Sequence, residues 1–159
     1  LSLSFLIDVR YGGVMYSGTV SDLRVNGMAE ETIGKNRTDI VDKGVKQDGT
    51  ENTTAITPYQ FWSNNYSSKV SEANVFDATF VKLREMVLSY QMPQRWFKNC
   101  FIGSLALGVE GRNLWLMKSN VPHIDPETNI FGPSAVGSGV EYSAIPTTRS
   151  WGFNIKLTF

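Results

Sequence analysis

At 159 residues the chain is long enough to bury a core without disulfide staples, so length alone leaves a soluble domain open. Lysine plus arginine and aspartate plus glutamate both number 15, which removes the net positive field that a nucleic-acid binder relies on. The single cysteine, Cys100, excludes an internal disulfide framework and a multi-cysteine metal centre, and it reads as a buried or incidental thiol.

No apolar run reaches the roughly 20 residues of a membrane-spanning helix, and no basic segment followed by an apolar one opens the chain. The first residues already alternate, which reads as the interior of a longer sequence. Over residues 1–10, Leu1, Leu3, Phe5, Ile7 and Val9 share one face of a strand, and Ser2, Ser4, Leu6, Asp8 and Arg10 share the other. Tyr11-Gly12-Gly13 signals a tight turn, and residues 14–20 are expected to return as a second strand.

Residues 21–78 turn charged and polar and read as one long excursion with little regular structure. Within it, Thr57 as N-cap and Pro58 at the first helical position predict a short helix over residues 59–65. Tyr59, Phe61, Trp62 and Tyr66 would pin the loop as a small aromatic core, or offer a stacking platform for a sugar.

Residues 79–91 form the next predicted strand. Val81 and Leu83 share one face, Met86, Leu88 and Tyr90 the other, so the phase slips near Glu85 as at a β-bulge. Pro93 ends it, since proline cannot donate to a ladder. After a compact turn holding Trp96, Phe97 and Phe101, residues 104–116 alternate again. Leu105, Leu107, Val109 and Trp115 face one way; Ser104, Ala106, Gly108, Glu110 and Arg112 face the other. A second excursion covers 117–147. The last strand, 148–159, sets Trp151, Phe153, Ile155, Leu157 and Phe159 against Gly152, Asn154, Lys156 and Thr158.

Three features favour a membrane barrel over a sandwich. The strands run to about ten residues, the span of a tilted transmembrane strand. Short turns alternate with long loops, as between the two sides of an outer membrane. Aromatics gather near strand ends, where an interfacial girdle lies. The expected fold is therefore all-β: about five C-terminal strands of a large antiparallel transmembrane β-barrel with long extracellular loops. Five strands cannot close a barrel, so the rest belongs to a larger protein. If Phe159 lies at the periplasmic rim, strand parity places both long loops outside the cell.

The run Phe80-Val81-Lys82-Leu83-Arg84-Glu85 through Leu88-Ser89-Tyr90 and Pro93 is followed by Gly111-Arg112-Asn113-Leu114-Trp115, Asp125-Pro126-Glu127, Thr148-Arg149 and Gly152-Phe153-Asn154 to Phe159. In order and spacing this resembles the end of SusC/RagA-type TonB-dependent outer-membrane transporters, and Leu3-Ser4-Phe5 to Asp8 with Gly12-Gly13 is similar to the same family further upstream. The resemblance implies a barrel of about 22 strands with an N-terminal plug, importing nutrients with energy from TonB. It implies substrates that are glycan oligosaccharides or peptides, and a SusD-like surface lipoprotein as partner. The plug and the TonB-contacting part are absent from residues 1–159. The alternating residues Trp151, Phe153, Ile155, Leu157 and Phe159 would then also be the signal read by the barrel-assembly machinery, and the outward face would meet outer-membrane lipid.

No catalytic constellation is present, so an enzyme is not expected, nor a cofactor. Glu110 and Arg112, two apart on the inward face, are candidate lumen-facing residues that pair with one another or touch plug or substrate. Tyr59, Trp62, His123, Asp125 and Glu127 are candidate extracellular loop contacts. Asp125 and Glu127 beside the only histidine raise a cation site, set against a plain polar turn held by Pro126. No metal is expected. The rival reading is a secreted β-sandwich carbohydrate-binding module stacking sugars on Tyr59, Trp62 and Trp115.

Overall fold

The computed structural model describes residues 1–32, 39–67, 70–98, 101–132 and 138–159; Cys100 and the side chain of Tyr66 lie outside the described set. In chain order the elements are β1 (Ser2–Arg10), β2 (Val14–Ser17), α1 (Gly18–Val25), β3 (Ile40–Val41), β4 (Ala55–Ile56), α2 (Pro58–Phe61), β5 (Val75–Asp77), β6 (Phe80–Gln91), β7 (Ser104–Ser119), β8 (Val140–Glu141) and β9 (Ser150–Thr158). They fall into two units. One comprises Leu1–Tyr11, Thr79–Ser119 and Thr147–Phe159; the other comprises Gly12–Ala78 and Asn120–Pro146.

The first unit is a four-stranded antiparallel sheet in the order β1-β6-β7-β9. Its register sorts side chains by face. Leu3, Leu88, Val109 and Phe153 lie in one cross-strand row, and Ile7, Leu83 and Trp115 in another. Between the apolar rows run mainly polar or small ones: Ser2, Ser89, Gly108 and Asn154, then Glu85, Arg112 and Ser150 with Leu6 as an apolar exception. The apolar face is bare, with Phe5 at 66% and Phe153 at 84% of full exposure. A side chain at Gly108 would run into Asn154, and one at Gly152 would come within 3.0 Å of the Glu110 side chain, so the polar face needs small residues at these rows.

The slip foreseen near Glu85 is present. Register shifts between Leu83 and Glu85 on β6 leave Arg84 as an extra residue against β1, while on the other side two residues of β7, Asn113 and Leu114, stand against it. A bulge of this kind moves a strand's apolar positions from one parity to the other without moving them to the other face. Asn113 takes up the distortion with a positive φ of 51°. Its amide oxygen accepts from Arg84 at 3.1 Å, and its Nδ2 donates to the Thr148 carbonyl at 3.1 Å. Arg84 also pairs with Asp8. The bulge thus ties together β1, β6, β7 and the entry to β9.

The second unit departs from expectation. Residues 14–20 were to be a strand of the main sheet; β2 stops at Ser17 and lies in a separate sheet, order β5-β2-β8, antiparallel to β5 and parallel to β8. The chain leaves extended geometry because Ser17 caps a helix, its hydroxyl accepting from the Val20 amide at 3.1 Å. Nor is Tyr11-Gly12-Gly13 a hairpin turn: β1 pairs with β6, and Gly12 and Gly13, both at positive φ, lead the chain out of the sheet. The excursion therefore starts at residue 12, not 21, and it carries α1 and short strands where little regular structure was expected, whereas the short helix predicted over residues 59–65 is present as α2, continued by a helical turn over Trp62–Ser67. Because all four strands of the main sheet are antiparallel, both excursions leave from the same end of it. Met15, Ala78 and Val121, with Phe76 and Ile124, form this unit's apolar core, which takes the place of the aromatic core expected around α2.

Replacing Asn113 by alanine removes two hydrogen bonds and leaves a non-glycine residue in left-handed geometry without the side chain that tolerates it, a loss of about 2 kcal/mol. Asn113→Gly should recover part of this by relieving the backbone alone. Denaturant midpoints of the three proteins should rank native, glycine variant, alanine variant.

Candidate functional site

The polar face of the sheet carries a charge ladder. Arg112 lies 3.6 Å from the Glu85 carboxylate on the neighbouring strand and 3.8 Å from Glu110 on its own. The Arg112 side chain is well exposed, so these contacts fix its position more than they stabilise the fold. Glu110 and Arg112 do stand together, and Glu85 joins them. Sequence alternation offered Glu110 and Arg112; Glu85 was hidden because it sits at the bulge, where parity fails.

The candidate loop contacts separate into engaged and free. Thr57 caps α2 reciprocally: its hydroxyl accepts from the Gln60 amide at 3.2 Å, and Gln60 Oε1 accepts from the Thr57 amide at 3.1 Å. The cap presents Tyr59 outward, 62% exposed. Trp62 is committed to packing. The Arg24 guanidinium lies 4.7 Å from its ring centroid, and Phe61 meets it edge-on at 5.2 Å. Trp115, the third ring of the carbohydrate-module reading, belongs to the apolar row of the sheet, in the other unit.

Asp125 and Glu127 form a turn. Asp125 Oδ1 accepts from the Glu127 amide at 3.2 Å, its carbonyl accepts from Thr128 Oγ1 at 2.7 Å, and Pro126 is fully buried. No cluster of three or more potential metal ligands occurs among the described residues. His123 has a positive φ of 65° that brings the Ile124 amide to the Pro122 carbonyl at 2.8 Å. Its Nε2 accepts from the Glu30 amide at 3.2 Å and lies 3.6 Å from Glu31 Oε2. Glu31 in turn takes the Arg24 Nε at 2.5 Å. Burial pushes the Glu31 carboxyl up, but its own backbone amide, Arg24 and His123 together outweigh this and hold it below its ordinary value.

Sequence reading missed the largest fully buried side chain of the loop unit, a carboxylate. Glu141, 1% exposed, accepts from Ser17 Oγ and Thr19 Oγ1, each at 2.6 Å, and from the Ala144 amide at 3.2 Å. The Tyr16 amide donates to the Gly139 carbonyl at 2.8 Å alongside it. These contacts lock the second excursion onto the start of α1. Only Ser17 gave a signal, as a residue type that caps helices.

No family profile matches the chain. In sequence it is similar to TonB-dependent receptor P3 of Formosa agariphila, 24% identical over 95 residues, which is 57% of this chain and 9% of that protein. In structure it is similar to the RagAB peptide importer in its open-open and closed-closed states, each with a TM-score of 0.59, 16% identity and coverage of 99% of this chain and 15% of the other. A further RagAB peptide transporter structure gives 0.56, 18%, 99% and 16%. The chain thus spans under a fifth of each of these proteins, and its fold is that of a segment of a RagAB-type transporter: antiparallel barrel strands with long loops. The resemblance to TonB-dependent transporters read from the sequence is met in both comparisons.

Two outcomes test the loop geometry. Glu31 is held low, so its contribution is complete above its ordinary value of 4.5 and is lost as pH falls through the folded value below that. Amide exchange around α1, corrected for intrinsic rates, should accelerate in that acid window, and Glu31→Gln should remove the step. Glu141→Ala leaves the buried Ser17 hydroxyl and the half-buried Thr19 hydroxyl without their acceptor, at about 2–3 kcal/mol. It should open the excursions to limited proteolysis near residues 139–146 while the four-stranded sheet stays protected.

Proposed function

We propose that this chain is part of the wall of a TonB-dependent importer in the outer membrane of a Gram-negative bacterium, and that it acts in transport, not catalysis. The observation that carries this is the two-faced sheet. One face is large and apolar, and nothing among the described residues covers it; the other is mostly small, polar or charged. A β-sandwich would bury the first face under a partner sheet, whereas a membrane barrel turns it to lipid and turns the second to a wet interior. The likeness to RagAB supports the same reading.

In this arrangement β9 runs inward and ends at the periplasmic rim, β7 and β1 run outward, and both excursions stand on the extracellular side. Glu85, Glu110 and Arg112 line the lumen, where they meet plug or substrate. Tyr59 is the loop residue best placed to touch an incoming ligand. The plug and the TonB contact belong to parts of the transporter outside residues 1–159, and a SusD-like lipoprotein caps the loops. The cargo is an oligomeric nutrient. The family resemblance favours glycan oligosaccharides; the likeness to a peptide importer favours peptides as the second reading. Uptake of labelled oligosaccharides and of labelled peptides by cells with and without the gene decides between them.

The membrane reading has a sharper test in two matched substitutions. Phe153→Arg places a charge in the lipid-facing row at a cost of about 2–4 kcal/mol and should abolish heat-modifiable barrel in the outer-membrane fraction. Ser4→Arg, on the polar face, should leave barrel levels near normal. Equal levels for both variants, or a protein that stays soluble without detergent, would overturn the reading.

A further inference from the structure

The end of the sheet at the 92–103 turn is chemically unlike the rest of the chain. No aspartate or glutamate occurs in residues 86–109 or 142–159, although acids and bases balance overall. The turn carries Arg95 and Lys98, and neither makes an ion pair or hydrogen bond among the described residues. Both line a cavity of about 580 Å³ walled by Phe97, Phe101 and Phe159, with Phe101 and Phe159 stacked at 5.7 Å. Phe159 continues the apolar row of Phe153, Ile155 and Leu157. Further up that face lies a groove of about 500 Å³ between Leu88, Tyr90, Leu107, Val109, Phe153 and Ile155. From Ile155 to Phe159 the strand climbs roughly 14 Å. An apolar groove thus leads, within one lipid length, to two cations framed by aromatic rings.

The geometry points to a binding site for one anionic glycerophospholipid, with an acyl chain in the groove and the phosphate headgroup on Arg95 and Lys98. The charge is complementary to a phosphodiester and to no zwitterionic surface as a whole, and the rings sit where a headgroup meets acyl chains. This inference rests on the membrane reading, which puts the turn at the periplasmic leaflet.

The test uses the intact transporter, purified in detergent and probed by native mass spectrometry with phosphatidylglycerol, phosphatidylcholine or inorganic phosphate. The native protein should retain phosphatidylglycerol in preference to phosphatidylcholine. Arg95→Gln with Lys98→Gln should weaken that retention roughly 10- to 30-fold, since each cation near an anionic lipid surface contributes about a fivefold factor. Phosphatidylcholine retention should not change. Equal retention of both lipids, or equal retention by variant and native protein, overturns the site. Competition by inorganic phosphate at the same concentration overturns the lipid and leaves a free-anion site. Heat-modifiable mobility of each sample separates the two levels: a transporter that forms no barrel sinks the membrane reading and this inference together, whereas a normal barrel without lipid preference sinks this inference alone.

Discussion

The sheet depends on one constraint: most of the large apolar side chains of four strands must emerge on the same face. In β6 the apolar residues change parity, with Val81 and Leu83 before the slip and Met86, Leu88 and Tyr90 after it. A regular ladder would send one of these sets to the polar face, where Glu85 and Arg112 lie. The extra residue Arg84 resolves the conflict, and the distortion passes to Asn113, whose short amide tolerates left-handed geometry and returns two hydrogen bonds. Arg84, forced out of alternation, becomes the link to Asp8. A bulge that could pass for a defect therefore sets the register of the whole sheet and assembles its polar ladder.

This part of the fold was legible because period-two alternation survives in the sequence, and its single failure is itself a signal. The segment after Arg10 was not. Val14, Tyr16 and Val20 alternate like a strand, and Gly12-Gly13 looks like a hairpin turn. What overrides them is tertiary: the Glu141 carboxylate binds the hydroxyls of Ser17 and Thr19, more than 120 residues away in sequence, at the point where Ser17 caps α1. Local propensity carries no trace of a partner at that separation. The alternation of short turns with long loops, one argument for a barrel, rested partly on that supposed hairpin. The conclusion survives without it, because parity across four strands still places both excursions at one end.

The candidate site divides along the same line. Glu110 and Arg112 follow from alternation and stand together, whereas Glu85 needed the register. Among the loop residues, composition could nominate Tyr59, Trp62, His123, Asp125 and Glu127 but could not say which were free. Trp62 lies under Arg24, Asp125 closes a turn and His123 meets the Glu30 amide, which leaves Tyr59 as the exposed ring. Packing takes up most of the polar and aromatic groups of a compact loop, and sequence does not show in advance which ones it leaves over.

The alternating strand that ends at Phe159 shows why function cannot be placed within these residues alone. Among the described residues β9 pairs with β7 alone and β1 with β6 alone, so the sheet they form has two open edges as well as a bare apolar face. Each edge exposes a row of backbone donors and acceptors that water could satisfy but lipid could not. A sheet whose face requires lipid therefore cannot leave its edges open. The two demands are met together only if further strands continue from β1 and β9 until the barrel closes. On this argument the polar ladder is a lining only once the barrel has closed around it, and whatever it selects is selected by the complete wall.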